Sequence, residues 1–83
     1  MDTRSLAKID LNLLLVLQVL LEERSVSRAA ERLFVTQSAM SKALGRLREL
    51  FDDPLFTRSG GQMVPTPRTE QIATELGRVL RGV

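Results

Sequence analysis

Four polar side chains near the middle of the chain could form hydrogen bonds with a large polar ligand. They are Gln37, Ser38, Ser41 and Lys42. A glutamine amide can pair with adenine through two hydrogen bonds, a lysine can donate to guanine or to a phosphate, and a serine is short enough for close contact with either. These residue types are consistent with a surface that binds nucleic acid, although polar side chains on a helix are often only solvated.

Ser38, Ser41 and Lys42 fall, with Glu49, on one face of a helix that is predicted from Gln37 to about Phe51, and Gln37 lies in its first turn. The opposite face carries apolar residues spaced by three or four positions, which indicates burial; they are Met40, Leu44, Leu47 and Phe51. Thr36 is predicted to cap this helix, and Pro54 to end it, because proline disfavours helical geometry in the residue before it.

Gly45 lies on the polar face of the same predicted helix. A glycine inside a helix costs about 1 kcal/mol relative to alanine. Gly45 is therefore either simply tolerated or is present because it removes bulk where the backbone of a ligand approaches. The sequence leaves both interpretations open.

Two further helices are predicted before this one. The apolar run of residues 11–21 indicates a helix that is buried on most sides, with Asp10 as its cap. A short helix follows over about residues 28–33, with Ser27 as its cap. Ser27 could either act as the cap alone or also hold a phosphate together with Ser25.

A β-hairpin and a last helix are predicted after them. Gly60 and Gly61 suit a tight turn with positive φ, and Thr66-Pro67 reads as a cap followed by the first helical residue. The fold class is therefore mainly α: residues 1–66 form a winged helix-turn-helix of three helices and a two-stranded β wing, and a linker helix occupies residues 67–83.

The last helix carries an apolar stripe formed by Ile72, Leu76, Val79 and Val83. It either packs on the first helix of the same domain or forms an exposed patch, and such patches mark association sites. The second interpretation predicts a homodimer through residues 67–83. It also predicts that Leu76→Glu leaves the fold intact.

Composition narrows the class of function. The 83 residues include no histidine and no cysteine, so catalytic triads, thiol nucleophiles and the usual transition-metal ligands are missing. We therefore expect no enzyme, no metal and no cofactor. Residues 24–68 hold eight basic and four acidic side chains, whereas residues 1–23 hold two and four. This distribution suits a polyanion, although a winged helix used only for protein–protein interaction remains the alternative.

The apolar run of residues 11–21 is too short to span a membrane. No cleavage pattern of small residues follows it, so it does not read as a signal peptide. We expect a cytoplasmic protein that makes no contact with membranes.

The segment "SVSRAAERLFVTQSAMSKALGRLRELFDDPLFTRSGGQMVPT" resembles the DNA-binding domain of LysR-type transcriptional regulators, especially the nodulation and aromatic-catabolism branch. The matching motifs are "AAERL" with the serines before it, "VTQSAMSKAL", "PLFTR" and "PTP". They span roughly residues 10–75. The branch is suggested by departures from the common pattern, including Arg48 where the family often has glutamate.

The resemblance implies a role for each candidate residue. A dimer would bind an interrupted palindrome in double-stranded DNA, with Gln37, Ser38, Ser41 and Lys42 in the major groove, Ser27 at a phosphate and Arg58 on the wing beside the minor groove. The linker helix would pair with its copy through Ile72, Leu76, Val79 and Val83. Arg48 could not form the expected ion pair with Arg58. A small-molecule inducer would act only through a C-terminal sensing domain that this chain lacks.

Overall fold

The order of elements along the chain is that of a winged helix-turn-helix followed by a long helix. The computed structural model describes residues 3–80, with side chains for residues 13–78. The elements are α1 (Thr3–Glu23), α2 (Val26–Arg32), α3 (Gln37–Phe51), β1 (Phe56–Ser59), β2 (Gln62–Pro65) and α4 (Pro67–Leu80). The predicted fold class is confirmed.

The starts of the first two helices differ from the prediction. α1 begins at Thr3, so Asp10 lies inside the helix and is not its cap. The reason is that residues 3–9 contain no glycine or proline to stop the helix. α2 is capped by Ser25, whose hydroxyl accepts a hydrogen bond from the backbone N–H of Arg28 at 3.2 Å. Ser27 is therefore a residue within α2, and its prediction as the cap is wrong.

The core lies where α1, α2 and α3 meet. Leu17, Leu20 and Leu47 have no exposed surface. Ala29 and Ala30 of α2 are also buried, and their small side chains let the neighbouring helices approach closely. On the apolar face of α3, Met40, Leu44 and Leu47 are buried as predicted, whereas Phe51 is half-buried. This burial fixes which face of α3 is turned outward.

The turn between α2 and α3 is closed by backbone hydrogen bonds. The N–H of Phe34 donates to the carbonyl oxygen of Glu31 at 3.2 Å, and the N–H of Val35 donates to that of Ala30 at 3.0 Å. This pair of bonds is the Schellman motif, in which the residue with positive φ is usually glycine. Here that residue is Phe34, with φ +58° and a side chain that is 95% exposed. Thr36 then caps α3, as predicted.

The wing is the antiparallel hairpin of β1 and β2. Ser59 pairs with Gln62, and Phe56 pairs with Pro65. Gly60 and Gly61 both have positive φ, at 58° and 80°, as a two-residue turn of type I′ requires. The predicted hairpin is confirmed, and Pro65 stands at its end.

A network of hydrogen bonds connects the end of α3 to the start of α4; we call Asp53, Leu55, Thr66 and Thr69 the α3–α4 joint. The hydroxyl of Thr66 donates to Asp53 at 2.7 Å, and the hydroxyl of fully buried Thr69 donates to the carbonyl of Leu55 at 2.6 Å. The bond from Thr66, then that from the N–H of Leu55, lowers the pKa of Asp53. The joint therefore fixes where α4 leaves the domain.

Candidate nucleic-acid interface

Two adjoining clefts separate the helix-turn-helix from the wing. The serine cleft, of about 240 Å³, lies between the start of α2, the start of α3 and the wing. It is lined by Arg24, Ser25, Val26, Ser27, Gln37, Arg58, Gly61 and Met63. The α3–wing cleft, of about 280 Å³, is lined by Val26, Ser41, Leu44, Arg48, Phe56, Thr57, Arg58 and Met63. Arg58 borders both clefts, so the wing contributes its cation to each.

The structure brings together four of the six residues predicted to bind DNA. Ser27 and Gln37 lie in the serine cleft, Ser41 lies in the α3–wing cleft, and Arg58 connects the two. These residues come from α2, α3 and β1, and all four are exposed. The fold thus collects on one surface side chains that are up to 31 positions apart in the sequence.

The other two predicted residues lie outside the clefts. Ser38 and Lys42 are exposed on α3 but belong to neither lining. They are four positions apart, so they are neighbours along one side of the helix. Arg46 continues this row by one more turn and is also exposed. This row of α3 faces solvent, away from the core.

Positive charge in the two clefts is not balanced by acidic groups in their linings. Arg24, Arg48 and Arg58 are the charged residues among the lining side chains, and no aspartate or glutamate lines either cleft within the described residues. The Nε of Arg24 donates to the carbonyl of Leu21 at 2.7 Å, and the Nε of Arg48 donates to that of Pro54 at 2.8 Å. These two guanidinium groups are therefore held by backbone oxygens, which leaves their charge available to an anion.

Arg32 shows the opposite arrangement. It pairs with Glu22 and, at 3.2 Å, with Glu23 at the end of α1. The hydrogen bonds that Arg32 donates, first to Glu22 and then to Glu23, raise the pKa of Arg32. The pKa of Glu22 is lowered, first by a hydrogen bond from Gln18 and then by that from Arg32. This arginine is thus neutralised within the domain.

Sequence reasoning gave Arg24 and Arg48 no place in the site. Arg48 could have been found, because it lies seven positions after Ser41, which is two helical turns along the same face. Arg24 carries no such signal. Its position beside the serine cleft depends on the left-handed backbone at the end of α1, where φ is 56°.

The residues predicted for a dimer interface are only partly described. Ile72 is half-buried, and Leu76 is only 7% exposed within a single chain. The expectation that Leu76→Glu leaves the fold intact is therefore wrong, since a carboxylate at this position would be buried without a partner. The side chain of Val79, and Val83 as a whole, lie outside the described residues. An open apolar groove of about 220 Å³ runs beside Ile72 and Leu76, between α1, α3 and α4.

Comparison with known proteins agrees with this architecture. Residues 11–70 match the family described as bacterial regulatory helix-turn-helix protein, lysR family. The chain belongs to this family. The match includes α2, α3 and the whole wing, and it ends in the first turn of α4.

Related proteins of this family are named as transcriptional regulators. The chain is 49% identical over 79 residues to the HTH-type transcriptional regulator SyrM of Rhizobium etli, which covers 95% of this chain and 24% of that protein. It is 56% identical over 64 residues to YidZ of Salmonella typhi, covering 77% and 20%. The chain thus spans a quarter or less of the length of these relatives.

Solved structures share the fold. A probable transcriptional regulator, PA0477 from Pseudomonas aeruginosa, superposes with a TM-score of 0.82 at 48% identity, covering 93% of this chain and 26% of that one. The BenM_DBD/catB site 1 DNA complex superposes with a TM-score of 0.78 at 24% identity, covering 87% and 81%. At that identity the second likeness concerns the fold alone. Within the described residues, no helix combines the length and apolar character needed to cross a membrane.

Proposed function

We propose that this chain binds double-stranded DNA in a sequence-specific manner, as the reading domain of a LysR-type regulator. Residues 1–66 are the reading unit, and residues 67–83 are the linker segment, which contains α4. One observation carries the proposal: hydrogen-bonding and cationic side chains of α2, α3 and β1 converge on one surface whose described cleft linings hold no acidic residue. Such a surface suits a nucleic acid, because its cations can bind phosphates and its polar side chains can form hydrogen bonds with base edges.

α3 is the element that enters the major groove. Its apolar face is buried in the core, so the face carrying Gln37, Ser38, Ser41 and Lys42 is the one that can meet base edges. These residues occupy the first half of the helix, which is the part that contacts bases in a helix-turn-helix. A Cβ atom built on Gly45 meets nothing within 4 Å. Because Gly45 has no side chain, the DNA could approach the helix backbone closely at this position.

Ser27 and Arg58 contact the DNA backbone in this proposal. They line the same cleft from opposite sides, one on α2 and the other on the wing. A hydroxyl and a guanidinium in such positions can donate to phosphate oxygens. The wing then lies beside the minor groove, and its cation adds affinity that does not depend on sequence.

Two copies bind an interrupted palindrome through α4. The apolar groove beside Ile72 and Leu76 supports this part of the proposal, because a second helix can cover it. The interface would also include Val79 and Val83. Two-fold pairing requires two half-sites about 34 Å apart, one turn of DNA.

We further infer that the chain acts in the cytoplasm without catalysis or a cofactor. The relatives named as transcriptional regulators support this inference. Because the chain spans only part of their length, any small-molecule inducer would act through a further domain.

Selection from a random pool of DNA duplexes tests the proposed function. The chain is expected to recover one half-site motif, and at high protein concentration two inverted copies of it. Recovery of unrelated sequences would contradict specific reading. A recovered half-site without a second copy, together with sedimentation as a monomer on palindromic DNA, would contradict the dimer.

The rival function, protein–protein interaction alone, predicts a different dependence on salt. DNA affinity that rests on phosphate contacts falls steeply as the salt concentration rises. If DNA binding by this chain is weak at every salt concentration and the pool yields no motif, the rival function is favoured.

A further inference from the structure

Two arginines from different elements line the α3–wing cleft. Arg48 lies near the end of α3, and Arg58 lies in β1. The other polar side chains in the lining are Ser41 and Thr57, which are uncharged. No carboxylate among the lining residues offsets the two positive charges.

The guanidinium group of Arg48 is held by a hydrogen bond to the backbone. Its Nε donates to the carbonyl oxygen of Pro54, just beyond the end of α3, at 2.8 Å. A guanidinium group has five N–H donors in a rigid plane, so this bond uses one edge and leaves the terminal N–H groups available. The backbone thus orients the group without reducing its charge.

Like charges that share a cleft repel each other, and an anion between them removes the cost. A phosphodiester is well suited to this role, because its oxygens can accept two charge-assisted hydrogen bonds from each planar guanidinium. Ser41 and Thr57 supply hydroxyl groups at the same cleft. This chemistry suits a phosphodiester, whose two non-bridging oxygens share one negative charge and can each accept more than one hydrogen bond.

We propose that the α3–wing cleft binds one phosphodiester of the DNA strand that passes between the major groove at α3 and the wing. Arg48 and Arg58 donate to it together, which makes Arg48 a DNA-binding residue. The proposal rests on the proposed function, because that function puts α3 and the wing on either side of the strand. It adds a backbone contact at a position where the resembling family often has glutamate.

Four variants test this inference in salt-dependent binding to cognate and random duplexes. Arg48→Ala is expected to weaken both by a similar factor, about threefold to tenfold at low salt, and to reduce the slope of log affinity against log salt by about one unit. Arg48→Glu is expected to reduce the slope by about two units, because the new carboxylate also pairs with Arg58. Arg48→Lys keeps the charge and should keep most of the slope.

Arg78→Ala is the matched control, since it removes one exposed arginine of α4 that does not line the cleft. It should leave the slope unchanged. Thermal unfolding of each variant checks the fold. If Arg48 only anchors Pro54, Arg48→Lys should weaken binding as much as Arg48→Ala. That result, or an unchanged slope for Arg48→Ala, would overturn the inference.

The same data separate this inference from the proposed function. If the wild type binds cognate and random duplexes equally and a Gln37→Ala variant has no effect, the proposed function fails. If Gln37→Ala selectively weakens cognate binding while Arg48→Ala changes nothing, only the phosphate site fails.

Discussion

The surroundings of Arg32 are the opposite of those of Arg48 and Arg58. At the junction of α1 and α2, Arg32 is paired with Glu22 and Glu23, and these bonds shift the pKa of Arg32 and Glu22. At the clefts, Arg48 and Arg58 have no acidic neighbour among the lining residues. The first arrangement satisfies the charge within the fold. The second leaves charge for a partner, and this difference supports the proposed DNA-binding surface more specifically than the small net charge of +2 does.

The uncharged polar side chains also fall into two groups, those that are hydrogen-bonded within the fold and those that are exposed. In the α3–α4 joint, Thr66 donates to Asp53 and Thr69 donates to the carbonyl of Leu55, and no polar side-chain atom that is buried within the described residues lacks a partner. Ser41 and Gln37, by contrast, are exposed on α3. We therefore expect the joint to serve stability, and we propose that the exposed side chains of α3 serve recognition. Substitutions in each region should separate these two properties.

The largest effect on stability is expected at the joint. Thr69→Val keeps the shape but removes the hydroxyl that donates to Leu55, leaving a buried carbonyl with one bond fewer. We expect the free energy of unfolding to fall by about 1–3 kcal/mol. Urea unfolding measures it, and Thr69→Ser, which keeps the hydroxyl, is the control. A Thr69→Val protein as stable as wild type would show that the bond is not needed.

Arg58 tests the other region. Arg58→Ala is expected to weaken binding to cognate and random duplexes alike and to reduce the salt slope by roughly one unit, because in the proposed complex this residue donates to phosphates and not to bases. Stability should stay unchanged, since the side chain is exposed. Binding measured at several salt concentrations checks this prediction. A slope and affinity equal to wild type would mean that the wing does not touch DNA.

Gly45 should separate the two properties in one variant. Gly45→Ala adds a methyl group into open space, and alanine favours the helix by about 1 kcal/mol. The variant is therefore expected to be more stable by up to that amount and yet to bind cognate DNA more weakly, because in the proposed complex the methyl group faces the groove. If stability rises and affinity is unchanged, the glycine is simply tolerated, and the close approach of DNA at this turn is disproved.

The smallest effect concerns pH. The hydrogen bonds from Thr66 and Leu55 lower the pKa of Asp53, so the folded state favours its carboxylate form. Its contribution to stability is fully present above the usual carboxyl pKa of about 4. This contribution is lost as the pH falls through the lowered value. The difference in unfolding free energy between wild type and Asp53→Asn should therefore shrink as the pH is lowered from 5. Urea unfolding at each pH measures this difference. A difference that stays constant with pH would rule out this linkage.

Local rules predicted most of the fold. The spacing of Met40, Leu44 and Leu47 gave the buried face of α3, and the glycine pair gave the turn of the wing. The first residue of each helix was harder to predict, because more than one nearby residue can act as the cap. Ser25 and Ser27 are both good caps by residue type, and in the structure the extended backbone of a cap, with φ −153° and ψ 127°, is found at Ser25.

The candidate site could be predicted only in part. Ser38, Ser41 and Lys42 share one face of the predicted helix, so helical periodicity groups them, and Gln37 lies in the first turn of the same helix. The convergence of Arg24 and Arg58 on one cleft depends on tertiary packing, and no spacing rule contains it. The burial of Leu76 also depends on tertiary packing. The sequence predicted the apolar stripe on α4, but not which of its residues pack against the rest of the domain.

Binding of the Gln37→Ala variant to cognate and random duplexes, at one fixed salt concentration, tests the central claim most directly. Gln37 is the first residue of α3 and is exposed at the serine cleft. If α3 reads bases, the variant should lose about 1–3 kcal/mol of binding free energy on the cognate duplex and much less on random DNA. Lys42→Ala should behave in the same way. Equal losses on both duplexes would contradict the claim, because they would reduce Gln37 to a backbone contact.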